Sequence, residues 1–278
     1  MSDAANPPDL PLTGKVAVVT GAGRRRGIGR SAALSLAKAG ADVAVTGSGR
    51  NPESYPEDEK EIGWRDIESV ADEIRELGRR ALPVVTNMLD EADCQRLADE
   101  VKRELGRIDI LVNNAASGRG RDRVPVIQLE ESEWRRVVET NLTGTFLVTK
   151  AVGKAIVDQG EGGRIVNISS ALGRRGMATN AAYSVSKAGM ILFTQVLAQE
   201  MAPHNVNVNC VAPGLTGTYR MDDVTRPGPI RDATLNMIPL RREGYPEEVG
   251  ELIAFLAGPG GAYIHGQTIN IDGGLVMS

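Results

Sequence analysis

Histidine and cysteine are scarce in this 278-residue chain, with two of each: His204, His265, Cys94 and Cys210. Two histidines exclude multi-histidine metal sites and nearly exclude Ser/His/Asp chemistry, so no metal is expected and proton transfer falls to other side chains. The cysteines show none of the paired spacings of zinc sites or disulfide frameworks. That suits a reducing compartment and reads both as small buried hydrophobes. Positive charge is not in excess either: the net charge of −4 argues against a surface that coats nucleic acid. No stretch approaches the roughly 20 apolar residues of a membrane span. The opening "MSDAANPPDLPLT" is polar and proline-rich, so residues 1–13 read as a flexible lead-in and not as a secretory signal. A cytoplasmic location is expected.

What the chain does have is alternation. Short β-rich apolar runs at 15–20, 42–46, 81–86, 108–113, 163–169, 206–212 and 268–272 are separated by helical periodicity at 27–39, 65–78, 91–105, 131–158, 180–202 and 246–257. Runs such as "VAVVT" and "RIVNIS" are apolar without alternation, as in parallel strands buried on both faces. Right-handed crossovers then place helices on both sides, and the fold class is α/β with one doubly wound parallel sheet of about seven strands. Residues 14–278 read as a single domain. Two long irregular segments, 47–64 and 213–234, exceed what a minimal version needs and are of the length that is usually functional or disordered.

The stretch "TGAGRRRGIGR" at 20–30 follows the first strand and opens a helix. It fails the G-x-G-x-x-G fingerprint, because Arg26 stands where a third glycine belongs. Gly23-x-x-x-Gly27-x-Gly29 fits a loop whose backbone N–H groups, aided by the helix dipole, hold a phosphate. The second strand ends in Gly47-Ser48-Gly49-Arg50 with no carboxylate. Ser48, Arg50 and one or more of Arg24 to Arg26 therefore favour the 2′-phosphate of NADP, with NAD possible.

In "YSVSK", Tyr183 and Lys187 lie four residues apart, one turn apart on one helix face. An ammonium beside a phenol lowers the phenol's pKa by favouring the phenolate. With "TGAG…GIG", "NNAA" at 113–116, "TNLTGTF" at 140–146, "RIVNISS" at 164–170, "APG" at 212–214 and "YIHGQTINIDGG" at 263–274, the chain resembles the short-chain dehydrogenase/reductase family from Lys15 to Gly274. The resemblance runs to its 3-oxoacyl carrier-protein reductase-like members and implies a Rossmann-type domain.

It further implies that Tyr183 is the acid/base, that Ser170 hydrogen-bonds the substrate oxygen and that Lys187 binds the nicotinamide ribose and tunes the tyrosine. Asn141 would hold a water in a proton relay. Cofactor contacts carried over by position are Gly21, Gly23, Arg26, Gly27, Ile28 and Gly29 in the first loop, and Asn87 and Met88 after the third strand. Asn114, Ala115, Pro213 and Gly214 join them, with Tyr183 and Lys187 shared. Either Gly21 or Gly23 lies nearest the pyrophosphate, because five residues separate Gly21 from Gly27 where the family has three. That gap also resembles divergent enoyl reductases, but those place six residues between tyrosine and lysine, against three here. Asn87 stands where the family has an aspartate at the adenine, with Asp90 as the alternative.

The implied activity is NADPH-linked interconversion of a ketone and a secondary alcohol. An NAD-linked dehydrogenase of a sugar, steroid or cyclic alcohol, or a non-catalytic dinucleotide sensor, are the alternatives. The partners are a small-molecule carbonyl or alcohol and, by resemblance, further copies of the chain in a homotetramer or homodimer. Substrate choice is assigned to 213–234 and 117–129; in the latter Arg119, Arg121 and Arg123 are either a solvated basic loop or a site that attracts an acidic substrate or carrier protein.

Overall fold

The computed structural model describes residues 10–277. Its strands are β1 (Val16–Val19), β2 (Asp42–Gly47), β3 (Ala81–Val85), β4 (Ile110–Asn113), β5 (Gly163–Ile168), β6 (Val206–Pro213) and β7 (Thr268–Ile271). They form one seven-stranded sheet in the order β3-β2-β1-β4-β5-β6-β7, parallel throughout. The helices are α1 (Ile28–Lys38), α2 (Glu57–Lys60), α3 (Ile67–Glu76), α4 (Glu91–Leu105), α5 (Glu131–Val138), α6 (Gly144–Gln159), α7 (Ala171–Arg174), α8 (Ala181–Met201), α9 (Asp222–Thr225), α10 (Pro229–Asn236) and α11 (Pro246–Ala257).

Successive side chains of a strand point to opposite faces, and the unbroken apolar runs therefore feed two cores. Ala17, Val19, Val43, Val45, Ile110 and Val112 pack with residues of α1, α3 and α11 on one face. Val16, Val18, Ala44, Leu111 and Ile165 pack with α4, α6 and α8 on the other. Each large aliphatic side chain buried this way contributes about 1.5–3 kcal/mol. Helices α1 and α11 meet almost backbone to backbone: a Cβ on Gly250 would lie 2.6 Å from the Ser31 carbonyl oxygen. All seven predicted strands occur within two residues of their expected ends.

Two expectations change. The helix read over 131–158 is interrupted by one turn of π-helix, Glu139–Thr143, in which Gly144 N–H bonds the Glu139 carbonyl. In the lead-in assigned to residues 1–13, Leu12 is part of the core and its N–H bonds the Ala39 carbonyl at 2.8 Å, because its side chain closes the end of the α1 layer. Residues 1–9 of that lead-in lie outside the described residues.

The entry to β1 is tied to the entry to β4 by one buried carboxylate. Asp109 accepts from Val16 N–H at 3.0 Å, from Lys15 Nζ at 3.1 Å and from Arg107 at 2.6 and 2.7 Å. Burial raises its pKa, but the hydrogen bonds from Arg107, Val16 and Lys15 outweigh burial and hold it below the ordinary carboxylate range. A carboxylate so depressed stabilises the fold above its unfolded pKa of about 3.9, and the contribution is lost as pH falls through the lower folded value. Asp109→Ala is expected to cost about 3 kcal/mol at neutral pH in urea unfolding, with the deficit shrinking below about pH 4.

Candidate active site

Because every strand runs the same way, the carboxyl ends of β1, β2, β4, β5 and β6 open on one edge of the sheet. A cleft of about 2020 Å³ lies along that edge. Such clefts typically measure about 300–1,000 Å³ for one small molecule, so this one has room for a dinucleotide and a second ligand together.

The first strand delivers the glycine loop. Gly21 is exposed in the cleft with φ of +67°, and a Cβ there would lie 2.7 Å from Ala115 Cα. Thr20 Oγ1 accepts from the N–H groups of Asn114 and Ala115 at 3.0 Å, and Asn114 Nδ2 donates to the carbonyls of Thr20 and Gly21. Helix α1 begins at Gly27 with no side-chain cap, which leaves its first N–H groups facing the cleft lined by Gly27, Ile28 and Gly29. An exposed glycine beside uncapped first-turn N–H groups is the arrangement that suits an anion.

Its arginines have other partners. The segment after β2 folds over the loop and brings three carboxylates, Asp58, Glu59 and Asp66. Glu59, with a side chain 1% exposed, accepts from Arg25 N–H at 2.8 Å and from Arg50 at 3.1 Å, with Arg24 at 3.7 Å. Asp66 accepts from Arg50 at 3.0 Å. Asp58 pairs with Arg25 and Arg26, and from the far side Asp222 holds Arg26 through two bonds of 2.7 Å. Gly23 is buried beneath: its carbonyl accepts from Trp64 Nε1 and Arg50, and a Cβ on it would overlap the Asp66 carboxylate.

Two cofactor expectations are corrected here. Arg26 and Arg50, read as phosphate-facing, are neutralised by carboxylates of 47–66 and of α9. The end of β2 does have a carboxylate beside it: Asp66 arrives from the start of α3, and its Oδ2 would be 3.5 Å from a Cβ on Gly47. The signal for it is an aspartate placed just before the apolar stripe Ile67, Val70 and Ile74, where helices begin. Ser48 is exposed in the cleft.

After β3, Met88 lines the cleft, and so does Asn87. The Asn87 carbonyl oxygen, expected at an exocyclic amine, already accepts from Leu89 N–H at 3.1 Å. Asp90 caps α4 through Ala92 and Asp93, which removes it as the alternative. Pro213 ends β6, and Gly214 N–H bonds the Ile271 carbonyl; both line the cleft.

The polar group in the middle of the cleft is built by β5 and α8. Lys187 is 2% exposed, donates to the Ile168 carbonyl at 2.7 Å, and has its Nζ 6.0 Å from the Tyr183 ring centroid. Ser170 lies two residues past the end of β5 and caps α7 by accepting from Leu172 N–H at 3.2 Å. Ser169 is turned into the protein, where it bonds the Lys187 carbonyl. Burial raises the Tyr183 pKa, but Lys187, then Arg220, the Ser170 hydroxyl and Arg123 together bring the phenol below its ordinary value. Burial likewise lowers the Lys187 ammonium.

Asn141 is fully buried in the π turn. Its Oδ1 accepts from Ser117 N–H at 2.8 Å, its Nδ2 donates to Ser186 Oγ at 2.9 Å, and its carbonyl accepts from Thr145 Oγ1. Ser186 in turn bonds the Tyr183 carbonyl. One amide donor and one acceptor are thus given to protein partners, and these bonds tie the loop after β4 to α8.

Comparison with known proteins adds to this geometry. A family model described as Enoyl-(Acyl carrier protein) reductase matches residues 21–276. The chain is 40% identical over 267 residues to a 3-oxoacyl-[acyl-carrier-protein] reductase of Synechocystis sp., covering 96% of this chain and 98% of that protein. It is 39% identical to a cyclohexanol dehydrogenase of Rhodococcus sp., with coverage of 97% and 99%. A short-chain dehydrogenase of Burkholderia cenocepacia, solved in complex with NADP, superposes with a TM-score of 0.80 at 33% identity, covering 95% of this chain and 99% of that one. Matches of this extent, over a parallel sheet that sets a tyrosine and a lysine one turn apart above the cleft, place the chain in the short-chain dehydrogenase/reductase family.

Proposed function

We propose that the protein, with residues 14–278 acting as one nucleotide-binding domain, is an NAD(P)-dependent oxidoreductase that interconverts a ketone and a secondary alcohol. Reduction of a 3-oxoacyl-like carbonyl with NADPH is the favoured direction. The observation that carries this is Tyr183 beside buried Lys187 and Ser170 at the carboxyl edge of β5. The enoyl reduction named by the family model is set aside on the Tyr183–Lys187 spacing.

When bound in the cleft, a reduced nicotinamide would supply the hydride for the carbonyl carbon. The glycine loop and the start of α1 hold its pyrophosphate, and Gly21, the exposed glycine, is the one assigned to the closest approach. Lys187 holds the nicotinamide ribose. Tyr183 Oη passes its proton to the carbonyl oxygen while Ser170 Oγ hydrogen-bonds the same oxygen, so that charge developing there is met by two preplaced donors. In alcohol oxidation the phenolate removes the hydroxyl proton. Asn141 keeps α8 and the loop after β4 in register with these groups.

For the nucleotide, NADP(H) is supported by the NADP found in the Burkholderia relative and by Arg24. Arg24 lines the cleft, as does Ser48, and its Nη1 makes no hydrogen bond, with Glu59 at 3.7 Å. NAD(H) is a second reading, favoured by Asp66 beside the end of β2, where a carboxylate would meet a ribose hydroxyl and repel a 2′-phosphate. Assembly into a homotetramer or homodimer is supported by apolar residues exposed on α6 and α8: Phe146, Val185, Leu192 and Val196 are each at least 45% exposed. The described residues contain no helix long and apolar enough to cross a membrane.

Tyr183→Phe is expected to lower turnover about 10³-fold or more while leaving NADPH affinity within about threefold, checked by steady-state assay and nucleotide titration. Unchanged turnover rejects the mechanism. In alcohol oxidation kcat/KM should rise with pH and level off below about 10, because the base must be ionised and its pKa is depressed. Lys187→Met should move that rise to higher pH. Kinetics with both nucleotides decide the cofactor: Arg24→Ala is expected to raise KM for NADPH about tenfold and for NADH by less than about threefold. Equal effects, with wild type faster on NADH, establish the second reading.

A further inference from the structure

The half of the cleft around Tyr183 is cationic beyond what proton transfer needs. Arg123 and Arg220 each bring a guanidinium to 4.8 Å from the Tyr183 ring centroid. Arg119 lines the same wall, with Arg175 at the rim. The two carboxylates that line this half are already committed: Asp223 to Arg119, and Asp222 to Arg26.

Arg220 has no carboxylate partner among the described residues and donates to the Ser117 carbonyl. Arg123 bonds Asn180 Oδ1, and its Nε is buried without a hydrogen bond. Among the described residues the one carboxylate paired with Arg123 is Asp122, at 3.4 Å, which is 1% exposed and shared with Arg136 at 3.4 Å. Burial lowers the Arg123 pKa, Asp122 opposes this, and Arg220 adds to the lowering. Two like charges set around one phenol, with a single carboxylate in reach of Arg123 and shared with Arg136, are costly until an anion lies between them.

Guanidinium groups present planar forks of donors that match a carboxylate. Both sit close to the phenol, so the anion they would bind lies close to the carbon that reacts. We propose that the substrate is an oxo acid, or the matching hydroxy acid, whose free carboxylate is one or two carbons from the reacting carbonyl and is held by Arg123 and Arg220. This rests on the ketone–alcohol reading above and narrows it, because a thioester or a simple cyclic alcohol offers these arginines no charge. The rest of the wall, Leu172, Met177, Ile230 and Met237, is apolar and suits an aliphatic remainder.

The redox balance is that of the parent reaction. The carbonyl carbon gains the hydride and its oxygen gains the Tyr183 proton, the nicotinamide is oxidised, and the carboxylate is unchanged.

The test compares acids with their uncharged twins: 2-oxobutanoate and 3-oxobutanoate against their methyl esters, with NADPH and with NADH. Wild type is expected to favour the acid of at least one pair by about tenfold or more in kcat/KM. Arg220→Gln and Arg123→Gln should each lower that acid-to-ester ratio at least about tenfold, mainly through KM, whatever change both substrates share through Tyr183. Arg220→Lys should keep part of the preference. Oxamate, an unreactive carboxylate, should bind the wild-type protein in calorimetry and bind Arg220→Gln at least about tenfold more weakly. If the esters are reduced as well as the acids, or if acid and ester fall together in both variants, the carboxylate proposal is overturned and the ketone–alcohol reading stands. If a wider panel of ketones and alcohols shows no turnover with either nucleotide, that reading itself fails, and the proposal with it.

Discussion

Seven strands pointing the same way put all their carboxyl ends on one edge, and the cleft exists because of that shared direction. A parallel strand must be covered on both sides, so β1, β2 and β4 are apolar at successive positions and have no polar face of their own. Chemistry is therefore displaced to the residues just beyond each strand: Gly21 after β1, Asn114 after β4, Ser170 after β5 and Gly214 after β6. The sheet supplies rigidity and spacing, and the turns supply function.

Charge is handled differently at the two ends of the cleft. Around the glycine loop, Arg24, Arg25, Arg26 and Arg50 meet Asp58, Glu59, Asp66 and Asp222, and the positive run is largely balanced inside the protein. Glu59 is tolerated at 1% exposure because donors from Arg25 and Arg50 satisfy its two oxygens. Around Tyr183 the balance is incomplete, and the surplus cations help depress the phenol. A closed network acts as a strap, and an open one acts as a receptor.

Much of this could be read in the chain before any coordinates. The strands were legible because burial on both faces forbids polar interruptions, the Tyr183 and Lys187 pair because a helix fixes residues four apart on one face, and Ser170 only through the family motif. The long connections were not. Nothing local in "GSGRNPESYPEDEKEIGW" says that Glu59 folds back under Arg24 and Arg50, or that Asp66 arrives beside Gly47, since those are long-range pairings without a period. The same holds for Arg26, whose partner Asp222 lies in the other irregular segment. Asn141 was found by motif, but its bonds to Ser117 and Ser186 were not legible, because a buried amide is defined by what surrounds it.

The π turn at Glu139–Thr143 has a further consequence for how this chain can change over time. One additional residue in a turn offsets the helical phase by about 100° for everything that follows. Here it lets α5 lie against α8 while α6 lies against α4. Deleting a single residue there would swing the whole of α6 around its axis and lift Val148, Val152 and Ile156 out of their seats. The bulge thus fixes the phase of α6, and its removal would require that whole layer of the core to be rebuilt at the same step.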